Sequence, residues 1–96
     1  MPHLYLFAKI TPKAEHLDDA RTAIQGIIAQ TVAEEGCIQF HLHDGLDDGC
    51  LYLYEEWVNE DALAHHYDQP YTKAVFESYK EWLAAPVEGH KMRLAS

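Results

Sequence analysis

Positive charge is scarce in this 96-residue chain. Seven Lys and Arg stand against 16 Asp and Glu, for a formal net charge of −9 with His neutral. Nucleic acids and anionic membranes are held by basic side chains that displace counterions. No basic run occurs here, so neither is an expected partner, and the acidity mainly indicates solubility. No apolar stretch reaches the 18 or so residues of a membrane span. The N-terminal MPHLYLFAKIT is too short and too polar for a secretory signal; the expected location is cytoplasmic. Glycine is limited to five scattered residues, which excludes phosphate-cradling loops and the nucleotide, flavin and nicotinamide fingerprints built on them. Only two cysteines occur, Cys37 and Cys50. They begin neighbouring strands, so a bridge is conceivable, but two reduced thiols suit so sparse a set better.

What the chain does hold is hydrophobic and aromatic. Its length fits one domain, residues 1–96, with a thin core. Eleven residues are aromatic and six of these are Tyr, a half-polar ring suited to lining a cavity or an interface. Seven His make the charge sensitive to pH near neutrality.

Periodicity divides the chain. His3 to Thr11 alternates, with Leu4, Leu6, Ala8 and Ile10 on one face and His3, Tyr5, Phe7 and Lys9 on the other, the period of a strand. From about Lys13 to Glu35, Leu17, Ala20, Ile24, Ile27, Ile28 and Thr31 recur at helical spacing. One long helix is expected there, closed by Gly36 as its C-terminal cap. Cys37 to Asp44 alternates again, with Ile38, Phe40 and Leu42 on one face and Gln39, His41 and His43 on the other. The turn Gly45 to Gly49 leads into a strand from Cys50 to Trp57, which makes an antiparallel hairpin. Asp44, Asp47 and Asp48 are turn formers; they lack the spacing and terminal Glu of a calcium loop. Asn59 caps a short helix. Pro70 ends it and opens another, Tyr71 to about Ala84; Val87 to Leu94 is a last strand. The order β-α-β-β-α-α-β predicts an α+β fold, an antiparallel sheet with helices on one face. The other face carries Tyr5, Phe7, His41, His43, Tyr52 and Tyr54, which suits a homodimer interface between two sheets.

Leu51 to Tyr71 (LYLYEEWVNEDALAHHYDQPY) gathers the residues best suited to chemistry. Glu55 and Trp57 lie two apart in a strand and share the face that looks toward the helices. His66, two turns into the following helix, can reach back over the strand end. A His among apolar walls is a general base for a phenolic or enolic proton. The same residues also fit a purely structural Glu55–His66 hydrogen-bonded pair beneath Trp57. His41-x-His43 and His65-His66 raise a metal question, but HExxH and CxxC are absent and no acidic or thiol partner stands at a zinc-site spacing. No metal site is expected. Cys37 and Cys50 have no neighbouring base to activate them.

The stretch EEGCIQFHLHDGLDDGCLYLYEEWVNEDALAHHYDQPY resembles the antibiotic biosynthesis monooxygenase domain, and within it the small quinol-monooxygenase-like proteins. The matching residues are Glu35-Gly36, Phe40, Tyr54-Glu55-Glu56-Trp57, Glu60, Ala62-Leu63, His66 and Pro70-Tyr71. The resemblance implies a ferredoxin-like fold with a four-stranded sheet, two of which form a dimeric α+β barrel. It also implies a pocket between sheet and helices. For some members it implies oxygenation of quinols or polyphenols by O2 without metal or flavin, the deprotonated substrate itself giving an electron to O2. No cofactor is then required. His66 would be the base, with Trp57 and Glu55 beside it as catalytic residues and Glu55 orienting His66 or a substrate hydroxyl. Phe40, Leu53 and Tyr71 would bind a small aromatic substrate. Many relatives have a second His after the Pro, where Tyr71 stands here. Haem-degrading relatives use Asn, Trp and His at the positions of Phe7, His66 and Phe76, which argues against haem degradation. Phosphosugar-isomerising relatives would need a basic cluster beyond Lys91 and Arg93. The alternatives are isomerase or tautomerase chemistry with the same base, or a non-catalytic dimeric binder of aromatic ligands.

Overall fold

The computed structural model describes residues 2–96. Its elements are β1 (Leu4–Ile10), a 3-10 turn (Ala14–His16), α1 (Leu17–Gln25), α2 (Ile28–Val32), β2 (Cys37–Asp44), β3 (Leu51–Trp57), α3 (Glu60–Tyr67), α4 (Pro70–Trp82) and β4 (Glu88–Met92). The four strands form one antiparallel sheet in the order β2-β3-β1-β4. This is the ferredoxin-like α+β arrangement. The central strands β1 and β3 pair from Leu4↔Trp57 to Ile10↔Leu51.

One-sided burial follows from the alternation. Leu6, Ala8 and Ile10 of β1 and Leu51 and Leu53 of β3 are buried, and they pack with Phe40, Ala20, Ile24, Leu63, Val75 and Tyr79 into a single core. Burying a large apolar side chain contributes about 1.5–3 kcal/mol, so these residues dictate which face the helices cover. On the other face Phe7 stacks on Tyr52 at 5.7 Å and Tyr5 lies 6.4 Å from Tyr54. Phe7 is 38% exposed and every residue of β4 is exposed. No helix of the described residues is long and apolar enough to cross a membrane.

Three expectations need correction. The single helix from Lys13 to Glu35 is broken: after a 3-10 turn, α1 ends at Gln25, and Ile27 takes φ −106°, ψ −1° before α2 begins. Gly26 sits at the break, where the helix-disfavouring residue costs least. Gly36 is no left-handed cap, because the only described residue with positive φ is Gly49 at 67°. Glycine is needed at 36 for another reason. A Cβ there would lie 2.4 Å from the Ala62 Cβ, and the Gly36 carbonyl accepts the Val58 N–H at 2.9 Å. Ile38 is 50% exposed rather than on the core face, because the β2–β3 register shifts between Cys37 and Gln39. Cys37 stands opposite Trp57 whereas Cys50 precedes Leu51, at the other end of the hairpin. That separates them by roughly 20 Å at strand rise, far beyond disulfide reach, and both are free thiols.

Candidate functional site

β3 and α3 meet at the site. The Asn59 side chain accepts the Ala62 N–H at 2.9 Å and caps α3, with Glu60 and Asp61 in the first turn. The cap fixes the rotation of α3, so Leu63 and His66, three apart, both turn inward; they are 1% and 3% exposed. His65, next in chain, points outward and bonds to Gln69 at 2.9 Å.

His66 is packed between rings. Its centroid lies 4.8 Å from Trp57, 5.7 Å from Phe40 and 5.8 Å from Tyr67. Its Nδ1 is 2.8 Å from Glu34 Oε2, and both side chains are nearly buried. The Tyr71 hydroxyl donates to the same Glu34 oxygen at 2.5 Å. Thr72 Oγ1 stands 3.5 Å from His66 Nδ1, a weak contact beside that to Glu34.

Glu55 does not orient His66. Its Oε1 accepts the Trp57 indole N–H at 3.0 Å. The carboxyl is 3% exposed. Burial pushes it up to about 7; the Trp57 hydrogen bond opposes this and the Glu34 charge adds to it. Glu55 therefore changes charge near neutral pH. Trp57 is 0% exposed and stands behind His66 and Glu55, not in a cavity wall. Tyr71 is likewise directed to Glu34.

Glu55 and His66 line a cavity of about 80 Å³ between the sheet and helices α1, α3 and α4. Leu6, Ala8, Ile10, Phe40 and Leu53 form its sheet side; Tyr67, Thr72, Val75, Phe76 and Tyr79 form much of its helix side. Phe76 and Tyr67 are 43% and 39% exposed and pack edge to face at 5.8 Å, so they rim the cavity. Burial raises the Tyr67 phenol to about 12 and pushes that of Tyr79 up as well; both remain hydroxyl donors. The arrangement offers one imidazole, one carboxyl poised between charge states, and phenol hydroxyls in an otherwise apolar space. That is the equipment of acid–base chemistry. Among the described residues no three His, Cys, Asp or Glu side chains converge to hold a metal ion.

Of the residues singled out in the sequence, Glu55, His66, Phe40 and Leu53 reach the cavity, while Trp57 and Tyr71 do not. Glu34, Tyr67 and Thr72 escaped notice, and Phe76 and Tyr79 read as helix core rather than as site residues. For Glu34 a signal existed: the inward stripe Ile24, Ile28, Thr31 continues at helical spacing onto it.

The family model for antibiotic biosynthesis monooxygenases matches residues 4–78. "Putative monooxygenase Rv0793" of Mycobacterium tuberculosis is 28% identical over 82 residues, covering 85% of this chain and 81% of that protein. "Putative monooxygenase YcnE" of Bacillus subtilis is 26% identical over 86 residues, covering 88% and 90%. Among solved structures, that of Rv0793 superposes with a TM-score of 0.93 over 98% of this chain and 96% of that one, at 24% identity. A conserved protein of Methanosarcina mazei Go1 gives 0.89 over 97% and 93%, at 28% identity. With three-quarters of its length matched by the family model and its whole sheet-and-helix frame shared with these proteins, the chain belongs to the antibiotic biosynthesis monooxygenase family.

Proposed function

We propose that this protein is a monooxygenase that oxidises a small quinol or phenol with O2, using no metal or flavin, and that it works as a homodimer joined through the aromatic sheet face. One observation carries the reading: a buried imidazole, His66, held by a carboxylate on one side, borders an apolar cavity on the other. Such a base removes a phenolic proton, and the phenolate then gives an electron to O2 in a space with little water. Glu55 hydrogen-bonds the substrate oxygen, and Phe40 and Leu53 pack against its ring. The cavity is smaller than the roughly 150 Å³ that encloses benzene in a protein core. A ring therefore enters by displacing Phe76 and Tyr67 at the rim. The names of the M. tuberculosis and B. subtilis relatives point to the same class of reaction.

The test is oxygen uptake by the protein mixed with reduced quinols. Wild-type protein should consume O2 well above the spontaneous rate, and His66→Ala should fall to that rate. Equal rates for the two would overturn the mechanism. Turnover under argon would replace it with isomerase or tautomerase chemistry at the same base.

A further inference from the structure

We infer that Glu34 is the positioning residue of this site: it holds His66 in the Nδ1–H tautomer and so presents the unprotonated Nε2 to the cavity. The inference rests on the reading of His66 as a base and states how that base is aimed. It starts from hydrogen-bond inventory. A neutral imidazole has one donor and one acceptor nitrogen, and the partner of one decides the role of the other. Glu34 Oε2 lies 2.8 Å from His66 Nδ1. An ionised carboxylate only accepts, so Nδ1 carries the proton. Among the described residues Nε2 has no hydrogen-bond partner, and it is not one of the fully buried orphan atoms. His66 lines the cavity, so its lone pair opens there.

Tyr71 completes the device. Its hydroxyl donates to the same Oε2, while burial and the Glu34 carboxylate keep the phenol protonated by raising it to about 12. Glu34 Oε1 is buried and has no partner. Both hydrogen bonds to the carboxylate thus fall on the oxygen that faces His66. The three groups come from the turn that follows α2, from α3 and from the start of α4, so the aim of the imidazole depends on how these helices dock. Trp57 against the ring at 4.8 Å limits its tilt. The chain order Glu34, His66, Tyr71 has no local motif. The relation parallels that of the buried Asp in the serine-protease triad, whose loss leaves the imidazole in the wrong tautomer.

The deciding measurement is the 15N NMR pattern of His66 in alkaline buffer, where imidazoles are neutral. The 96-residue protein is labelled at histidine, and the His66 signals are assigned by their absence in His66→Ala. Wild type should give the Nδ1–H pattern. Glu34→Leu should give Nε2–H or a mixture, and Thr72→Val should keep the wild-type pattern. A wild-type Nε2–H tautomer, or an unchanged pattern in Glu34→Leu, overturns the inference. If Glu34→Leu does not fold, the wild-type spectrum alone still decides it. The readout needs no turnover, so a protein that consumes no O2 removes the proposed function without touching this result. With turnover in hand, Glu34→Gln should lower kcat by at least about tenfold and change KM little, because Gln can offer His66 Nδ1 a donor in place of the acceptor.

Discussion

Glu55→Gln should make the protein more stable, and by an amount that depends on pH. The wild-type carboxyl is 3% exposed, and burial moves it from its ordinary 4.5 to about 7. The folded state thus holds this proton more tightly than the unfolded chain. Below pH 4.5 both states are protonated and the carboxyl carries no penalty. As pH rises through 7, folding must oppose its ionisation. Stability is lost across that window and the loss levels off above it, at about 3 kcal/mol. Gln removes the charge but keeps an oxygen for the Trp57 N–H, which Glu55 accepts at 3.0 Å. Urea unfolding of both proteins at pH 4 and pH 8 tests this. At pH 4 the two should be nearly equal; at pH 8 the variant should lead by up to about 3 kcal/mol, or on the order of 15 °C in melting temperature for a domain of this size. A gap that is the same at both pH values, or that favours wild type at pH 8, would refute the reasoning. A confirmed gap would mean that the family member retains a destabilising buried carboxyl where a neutral amide would serve the fold better, as expected of a functional group.

Two further perturbations probe the frame. Gly36→Ala places a Cβ 2.4 Å from that of Ala62 and 3.2 Å from Val58 Cγ2, so α3 must shift outward; the cost should be about 1–3 kcal/mol, read as a lowered urea midpoint, and an unchanged midpoint would contradict the close approach. Phe7→Lys puts a charge in the middle of the exposed aromatic sheet face, where Phe7 stacks on Tyr52. Sedimentation should find a dimer for wild type and a monomer for the variant; a monomeric wild type would end the dimer proposal.

Much of the fold is legible locally. Alternation in Leu4–Ile10 and Leu51–Trp57 and the helical spacing of Leu63 and His66 depend only on which residues can be buried together, and Asn59 and Pro70 mark helix starts by their backbone chemistry. The same reasoning misjudged the chain where a local preference met a packing demand. Gly36 reads as a helix cap because glycine is common there, yet it is held by the approach of Ala62. Ile38 reads as core because the alternation includes it, yet a one-residue register shift turns it out. The hairpin places Cys37 and Cys50 at opposite ends simply because its strands are antiparallel.

The sequence by itself determined the family, the places of the four strands along the chain and the presence of His66 on the inward side of its helix, because these follow from short-range periodicity and from a motif read along the chain. Only the tertiary structure decided what His66 touches. Glu55 is eleven residues from it in sequence and was the natural partner, but the strand directs that carboxyl to Trp57. Glu34 is 32 residues away and takes the imidazole instead. The break at Gly26, the docking of α3 at Gly36 and the start of α4 at Pro70 jointly bring it there. A hydrogen bond between side chains on separate elements depends on the angles at which those elements pack, and no local pattern encodes those angles.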